Sequence, residues 1–281
     1  MNNERCQPAT QACYAVMGNP VAHSKSPTIH RLFAEQTGQK IGYDALLIDK
    51  DGFPTAVAEF MAAGGKGLNI TVPFKQEAWQ IADKLSERAQ RAGAANTLWW
   101  DDHGSLQADN TDGTGLVRDL TRNLSIELQD KTILLLGAGG AARGVLAPLL
   151  NQQPAGIHIA NRTAERAVEL ADSFADLGMV QASGFDAIDM RNFDVVINAT
   201  AAGLQGQVPP LATGVVGTNS ICYDMMYGNE PTAFMQYAVQ QGCRQACDGL
   251  GMLVEQAAES FRLWRGVSPD TTPVIEALRH S

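Results

Sequence analysis

The segment 132–166 combines a glycine-rich turn with basic residues, and both are residue types that bind phosphate groups. An apolar run is followed by Gly137-Ala138-Gly139-Gly140-Ala141-Ala142, then by a helical pattern and a second strand-like run. Glycines in such a turn allow a tight bend and let backbone N–H groups approach a pyrophosphate at the start of the next helix. A glycine turn in another kind of α/β protein is the alternative, but the strand–turn–helix–strand order favours a dinucleotide site.

Basic residues follow the second strand of this segment. Asn161 precedes Arg162, Thr163 and Arg166, at a position where enzymes that use NAD usually have an acidic residue for the ribose 2′-hydroxyl. A carboxylate would repel a 2′-phosphate by roughly 4 kcal/mol at about 4 Å before screening, whereas planar guanidinium groups match phosphate geometry. The pattern therefore predicts NADP as the cofactor. The alternative is that both arginines lie on a solvated helix face beside acidic neighbours.

Four further polar motifs could take part in chemistry. They are His23-Ser24-Lys25-Ser26-Pro27, Asn69-Ile70-Thr71-Val72-Pro73-Phe74-Lys75, Asn96-Thr97 and Asp109-Asn110-Thr111-Asp112-Gly113. The two serines lie beside a predicted helix start and could bind a carboxylate, although Ser26 could instead cap the helix. Lys75 follows the carboxyl end of a predicted strand, where ligands of parallel sheets gather. A lone lysine in that position is more often a solvated surface residue.

The fourth motif has the oxygen-rich composition of a calcium loop. With Gly113 at the sixth loop position, Ala108 stands where such loops begin with an acid, and Asp119 stands where they end with glutamate. We therefore expect no calcium site, and capping of the next helix by Asn110 or Thr111 is the alternative role. The motifs of zinc proteases and serine hydrolases are absent from the sequence, and we expect no metal.

Strand and helix patterns alternate along the chain and must position these motifs. Strands are predicted over 14–17, 43–48, 67–70, 97–100, 106–108, 132–136, 156–160, 195–198 and 221–223, and helices over 27–35, 54–63, 75–82, 111–124 and 250–264. Such alternation is typical of α/β proteins with parallel sheets. The βαβ opening of the nucleotide domain follows an earlier α/β unit of ordinary domain size. We therefore expect two α/β domains with a cleft between them.

The composition is that of a globular protein with an acidic surface. The chain has 281 residues, 45% of them hydrophobic, with a formal net charge of −9, which argues against nucleic acid as a partner. It has neither a signal-peptide core at its N-terminus nor an apolar run near the ~18–20 residues that span a membrane. Five sparse cysteines, Cys6 among them, predict reduced thiols and a cytoplasmic location. We therefore expect a small-molecule substrate and no membrane partner.

The motifs together resemble those of the shikimate dehydrogenase family. The motifs that begin at His23, Asn69 and Asp109, the glycine turn and Asp248-Gly249-Leu250-Gly251-Met252-Leu253 occur in the family's order, and the similarity covers nearly the whole chain from Tyr14 onward. The resemblance implies reversible, NADPH-dependent reduction of 3-dehydroshikimate to shikimate in the pathway to chorismate and the aromatic amino acids. It also implies a substrate-binding domain over 1–111 and 249–281, with a mostly parallel sheet, and a Rossmann-type NADP-binding domain over 112–248.

The resemblance also implies the role of individual residues. Lys75 and Asp112 would be the catalytic pair. Residues expected to bind the substrate are Ser24, Ser26, Thr71, Asn96, Tyr227 and Gln256. Residues expected to bind the cofactor are Gly137, Ala138, Gly139, Gly140, Ala141, Asn161, Arg162, Thr163, Arg166, Thr200, Met225 and Gly249.

Two alternative functions stay open at the level of the sequence. A quinate/shikimate dehydrogenase with relaxed substrate and cofactor use would share the fold and the catalytic pair. A catalytically silent module that binds NADP or shikimate would be favoured if Lys75 or Asp112 were missing, but both are present. The sequence is also compatible with either a monomer or a homodimer.

Overall fold

The computed structural model describes residues 11–188, 192–200, 202 and 206–280. The chain forms two compact α/β units, one containing residues up to Gly115 and from Val254 onward, the other Leu116–Leu253. Both divisions fall inside helices. Residues 112–115 therefore belong to the first unit and 249–253 to the second, whereas the boundaries expected from the sequence lie at 111/112 and 248/249. The expected α/β class is confirmed.

The first unit contains a six-stranded, mostly parallel sheet, as expected. Its strands are β1 (Ala12–Gly18), β2 (Ile41–Leu47), β3 (Gly65–Ile70), β4 (Lys84–Leu85), β5 (Thr97–Trp100) and β6 (Leu106–Asp109), in the order β2-β1-β3-β5-β6-β4. Strand β1 is parallel to β2 and β3, and only β5 runs against its neighbours. The antiparallel pairing of β5 with β6 is the predicted hairpin. It sets Asn69, Thr97 and Asp109 side by side across three strands.

Five helices of the described chain lie entirely within this unit, and the start and end of α1 follow sequence signals for helix termini. They are α1 (Ser26–Thr37), α2 (Phe53–Ala62), α3 (Lys75–Ile81), α4 (Glu87–Ala92) and α10 (Thr272–Arg279). Helix α1 has a proline in its first turn and ends at Gly38, which adopts the left-handed conformation. In the core the rings of Phe53 and Phe74 stack with centroids 4.9 Å apart.

The second unit contains a six-stranded sheet whose strands are all parallel. They are β7 (Thr132–Leu136), β8 (Gly156–Asn161), β9 (Val180–Gly184), β10 (Val195–Asn198), β11 (Ile221–Asp224) and β12 (Gln245–Cys247), in the order β12-β11-β10-β7-β8-β9. The accompanying helices are α6 (Gly140–Leu150), α7 (Ala164–Asp172) and α8 (Ala233–Gln240). The order reverses at β7, and this is the topological switch point at which doubly wound sheets bind ligands. The expected Rossmann-type architecture is confirmed.

Two long helical predictions differ in detail from the structure. The helix expected over 111–124 divides into α5 (Asp112–Arg118) and a π-helical turn, Asp119–Asn123. In that turn the N–H of Leu124 donates to the carbonyl of Asp119, one residue further back than in an α-helix. Helix α9 (Leu250–Arg265) contains the predicted apolar face. It also buries polar residues that the pattern did not reveal, Ser260 among them.

The cysteines divide into two groups. Cys222, Cys243 and Cys247 are free thiols, whereas Cys13 is disulfide-bonded, so the expectation of reduced thiols is wrong for Cys13. Spacing along a sequence does not show which sulfurs meet in the fold, and Cys6 lies outside the described residues. None of the described helices is long and apolar enough to cross a membrane.

The buried strand β10 offers a direct test of the core of the second unit. Val196 is fully buried, whereas Val239 on α8 is 65% exposed. Val196→Ala removes two buried methyl groups and should lower the free energy of unfolding by about 2 kcal/mol. The same substitution at Val239 should change it by less than about 0.5 kcal/mol. Urea unfolding followed by circular dichroism measures both, and equal effects of the two substitutions would contradict this account of the core.

Candidate active site

A lysine–aspartate ion pair occupies the carboxyl end of the first sheet. Lys75 is the first residue of α3, and Asp112 is the first residue of α5. Lys75 Nζ donates to Asp112 Oδ2 at 2.6 Å, and the two side chains are 27% and 10% exposed. Burial makes the loss of either partner costly, because the remaining charge would be left without compensation. The structure thus brings the two residues of the expected pair into direct contact.

Asn96 holds the second oxygen of the Asp112 carboxylate. Its Nδ2 donates to Asp112 Oδ1 at 2.8 Å, and its Oδ1 accepts from the backbone N–H of Thr111 at 2.9 Å. A backbone N–H can only donate, so this contact fixes which end of the Asn96 amide is the oxygen. Gln256 on α9 lies beside it, with Oε1 3.2 Å from Asn96 Nδ2.

The side chains of the serine motif lie at the start of α1. Ser24 Oγ accepts from the backbone N–H of Ser26 at 3.3 Å, and Ser26 is the first helical residue rather than the cap. The capping role considered for Ser26 is therefore not the one observed. Thr71 follows β3 and is half-buried, with its backbone N–H bonded to Met17 of β1.

The Asp109 to Gly113 motif has separate partners for its two carboxylates, which argues against a shared metal. Asp109 pairs with Arg88 at 2.5 Å, and Asp112 pairs with Lys75. Asn110 Oδ1 accepts from the backbone N–H of Asp112, the first residue of α5, at 3.2 Å. Within the described ranges, no group of three or more His, Cys, Asp or Glu side chains could hold a metal ion.

The glycine turn of the second unit leaves the start of α6 open. Gly137 has a φ of 107°, and a Cβ there would lie 3.1 Å from the carbonyl oxygen of Ala199, so the position requires glycine. Gly139, Gly140 and Ala141 are exposed. The first-turn N–H groups of a helix have no intrahelical acceptor, and this first turn contains no acidic residue. The turn is therefore suited to an anionic group.

Arg162 and Arg166 are exposed at the carboxyl end of β8. Neither guanidinium group forms an ion pair within the part of the chain that the structure describes, so the acidic neighbours considered in the alternative do not neutralise them. Asn161 Nδ2 donates to the carbonyl of Thr163 at 2.9 Å, which holds the turn that carries the arginines. Two uncompensated cations next to the glycine turn suit a phosphate monoester.

The loops after β10 and β11 are held together by Asp224, a residue that sequence reasoning missed. Asp224 is fully buried and accepts from Asn198 Nδ2 at 3.0 Å and from the N–H of Met226 at 3.1 Å. Asn198 Oδ1 in turn accepts from the Thr200 hydroxyl at 2.7 Å. Burial raises the pKa of Asp224, while its hydrogen bonds oppose that shift. An aspartate that ends an apolar strand gives little signal in a sequence.

Three further expected residues lie in the same unit. The N–H of Met225 donates to the carbonyl of Asn198 at 3.0 Å. A Cβ on Gly249 would collide with the carbonyl oxygen of Met225, so only glycine fits there. Tyr227 is half-buried, and desolvation raises its pKa.

A buried polar network behind Asn96 was also missed by sequence reasoning. Asn69 Oδ1 accepts from the Tyr43 hydroxyl at 2.7 Å and lies 3.2 Å from His30 Nε2. Asn69 Nδ2 faces the carbonyl of Asn96 at 3.2 Å, so the amide oxygen is on the His30 side and His30 must donate from Nε2. The His30 and Tyr43 rings stack with centroids 4.2 Å apart. Polar residues at apolar-pattern positions are its only trace in the sequence.

These features define a class of protein: a two-unit α/β protein with a dinucleotide-type phosphate turn in one unit and a buried lysine–aspartate pair in the other. Family models match three parts of the chain. They describe the shikimate dehydrogenase substrate-binding domain (residues 16–98), shikimate/quinate 5-dehydrogenase (119–205) and the shikimate 5′-dehydrogenase C-terminal domain (249–279).

Individual relatives agree with these models over nearly the full length. The shikimate dehydrogenase (NADP⁺) of Alkalilimnicola ehrlichii is 57% identical over 95% of this chain and 98% of its own. The solved structure of an Ael1 enzyme from Pseudomonas putida is 45% identical, with a TM-score of 0.90 over 95% of this chain and 98% of its own. Shikimate 5-dehydrogenase from Thermus thermophilus, solved with NADP(H) and shikimate, is 33% identical, with a TM-score of 0.84 over 96% and 99%. The chain belongs to the shikimate dehydrogenase family.

The buried His30 predicts a specific pH dependence of stability. Desolvation lowers its pKa to about 3, against the opposing effect of the Asn69 hydrogen bond. Below the ordinary histidine pKa of about 6.5, the unfolded chain gains a proton that the folded protein does not. Stability should therefore fall from pH 6.5 towards pH 3, by as much as about 3 kcal/mol between pH 6.5 and 4.

His30→Gln keeps an N–H donor near Asn69 but cannot titrate. Urea unfolding at pH 6.5 and pH 4 should show a loss of stability about 3 kcal/mol smaller in this variant than in the wild type. His103→Gln, at an exposed position of the β5–β6 turn, controls for the substitution itself. An equal loss in the wild type and in His30→Gln would show that His30 is not the group responsible.

Proposed function

We propose that the protein is an NADP-dependent shikimate dehydrogenase, which reversibly reduces 3-dehydroshikimate to shikimate with NADPH. The observation that carries the proposal is the Lys75–Asp112 pair, with Nζ 2.6 Å from Oδ2 and Asn96 on the other carboxylate oxygen. Family membership supports the substrate class, since relatives at 53–57% identity are named shikimate dehydrogenase (NADP⁺). The product would feed the synthesis of chorismate and the aromatic amino acids.

The second unit provides groups that fit NADP. The open N-terminus of α6, reached through Gly137 to Ala141, would bind the pyrophosphate, and Arg162 and Arg166 would bind the 2′-phosphate. Asn161 and Thr163 shape the turn that presents these arginines. Thr200, Met225 and Gly249 lie on the loops after β10, β11 and β12, and would bind the nicotinamide half. When bound, NADPH supplies a hydride.

Lys75 would act as the general acid of the reduction. Reduction of a ketone places negative charge on its oxygen, and an ammonium group next to that oxygen stabilises the charge and supplies the proton. The carboxylate of Asp112 holds Nζ in place through the 2.6 Å contact with Oδ2. Because Asn96 occupies the other oxygen of Asp112, the carboxylate can hold Lys75 without rotating.

The remaining polar residues would orient the substrate. Ser24 and Ser26 offer two hydroxyls for the substrate carboxylate, and helix α1 starts at the same place. Thr71, Asn96 and Gln256 would bind the ring hydroxyls, and Tyr227 would be a further substrate-binding residue. We propose a cytoplasmic enzyme that acts as a monomer or a homodimer and requires neither nucleic acid nor a membrane.

One assay separates this proposal from its alternatives. The purified protein is given shikimate or quinate, each with NADP⁺ or NAD⁺, and reduced cofactor is followed at 340 nm. A dedicated enzyme should give a much higher kcat/KM with shikimate and NADP⁺ than with the other three pairs. Comparable values with quinate and NAD⁺ would indicate the relaxed quinate/shikimate enzyme. No turnover, together with binding of both ligands, would indicate a silent binding module.

Replacement of Lys75 tests the acid. Lys75→Ala should lower kcat by roughly 10²–10⁴ with a smaller change in KM, because a general acid contributes about that factor. Lys84→Ala is a matched control, since Lys84 also pairs with an aspartate, Asp101 at 3.2 Å, but is 62% exposed. Steady-state kinetics on both variants decide the point. A near-normal kcat in Lys75→Ala would reject the assignment.

Replacement of Arg162 tests the choice of cofactor. Arg162→Ala should raise the KM for NADP⁺ by roughly tenfold, which corresponds to one charge-assisted hydrogen bond, and should leave the KM for NAD⁺ nearly unchanged. Arg244→Ala removes an exposed arginine of the same unit and should affect neither KM. Equal effects of Arg162→Ala on the two cofactors would mean that Arg162 is only a surface charge.

A further inference from the structure

A chain of buried hydrogen bonds runs through the first unit to the catalytic carboxylate. Asn69 on β3 and Thr97 on β5 are paired on adjacent strands, and Ser260 of α9 contacts both side chains. The contacts are Asn69 Nδ2 to Ser260 Oγ at 3.0 Å, Ser260 Oγ to Thr97 Oγ1 at 2.8 Å, Thr97 Oγ1 to Asn96 Oδ1 at 2.9 Å, and Asn96 Nδ2 to Asp112 Oδ1 at 2.8 Å. Thr97 and Ser260 are both fully buried.

Backbone groups fix the orientation of the two amides in this chain, and the directions of the hydroxyl bonds follow from them. The carbonyl of Asn96 can only accept, so it identifies Asn69 Nδ2 as a donor; the N–H of Thr111 can only donate, so it identifies Asn96 Oδ1 as an acceptor. Thr97 must then donate to Asn96, because two acceptors would otherwise meet at 2.9 Å.

The Ser260 hydroxyl donates in its contact with the Thr97 hydroxyl. With the Thr97 proton directed at Asn96, the 2.8 Å contact needs a proton from Ser260. Ser260 Oγ also lies near the carbonyl of Gln256, at the longer distance of 3.1 Å. All four bonds therefore point from Asn69 towards the carboxylate of Asp112. Aligned hydrogen bonds in a region of low dielectric polarise and strengthen one another.

We infer that Thr97 and Ser260 are positioning residues, whose hydroxyls hold the Asn96 amide in the one orientation in which it donates to Asp112. The inference rests on the proposed function, in which Asn96 and Asp112 act at the substrate. A flipped amide would set its oxygen against the Asp112 carboxylate, where two acceptors repel. Without the Thr97 donor, Thr111 is left to resist that flip through its backbone N–H and its hydroxyl, which lies 3.2 Å from Asn96 Oδ1. The carboxylate that aligns Lys75 then becomes less well held.

Thr97→Val tests this role, because valine keeps the shape of threonine and lacks the hydroxyl. We expect kcat for shikimate oxidation to fall roughly tenfold, which is typical of a lost buried hydrogen bond, while the KM for NADP⁺ stays within about twofold. Thr97→Ser retains the donor and should restore kcat to within about threefold of the wild type. Ser260→Ala, one bond further away, should have a smaller effect of the same kind.

A matched control separates positioning from stability. Thr37→Val removes another hydrogen-bonded hydroxyl of the same unit, which donates to the carbonyl of Phe33 at 2.6 Å. This substitution should leave kcat unchanged. A kcat of Thr97→Val within twofold of the wild type, or a Thr97→Ser variant as slow as Thr97→Val, would overturn the inference. If Thr97→Val does not fold, an unchanged kcat in Ser260→Ala overturns it instead.

The wild-type assay keeps the two proposals apart. An inactive wild type refutes the proposed function and the positioning role with it. An active wild type whose hydroxyl variants have normal kcat refutes the positioning role alone.

Discussion

Asp112 has a carboxylate that is only 10% exposed, and a charge removed from water to this extent must be compensated by partners that fit it. Lys75 neutralises one oxygen, and Asn96 donates to the other. Much of the first unit follows from this requirement. Helices α3 and α5 must both begin at the carboxyl end of the sheet, and the antiparallel strand β5 must bring Asn96 between them. The same pairing that satisfies the carboxylate also aims an ammonium group, and this links the stability of the site to its chemistry.

The second unit follows a different constraint, which is the placement of a multiply charged ligand on a protein with a net charge of −9. Because the net charge of the protein is negative, its overall electrostatic field does not attract an anionic ligand. Local positive groups must do so. We propose that the free N–H groups at the start of α6, together with Arg162 and Arg166, provide them. Asp224 holds together the loops that follow β10 and β11, and its carboxyl group is buried and hydrogen-bonded.

The sequence predicts the parts of this arrangement that depend on local rules. Glycines after an apolar run predict the phosphate turn, and alternating patterns predict most of the strands. The pairing of Lys75 with Asp112 came from family resemblance, because residues far apart in the sequence meet only through the sheet order. The π-helical turn at Asp119 and the short helix α4 have weak local signals. The hydrogen-bond partners of Ser260, Thr97, Tyr43 and His30 could not be predicted, since a polar residue inside an apolar pattern does not reveal its partner.

A double-mutant cycle between Thr97 and Lys75 tests most directly whether the buried hydrogen bonds act through the ion pair. Thr97→Val is made in the wild type and in Lys75→Ala, and kcat is measured for all four proteins at saturating substrates. If Thr97 acts by holding Asn96 and Asp112 in place for Lys75, its substitution should cost roughly tenfold in the wild type and less than about twofold when Lys75 is absent. A tenfold loss in both backgrounds would contradict the account, because Thr97 would then act independently of the ion pair.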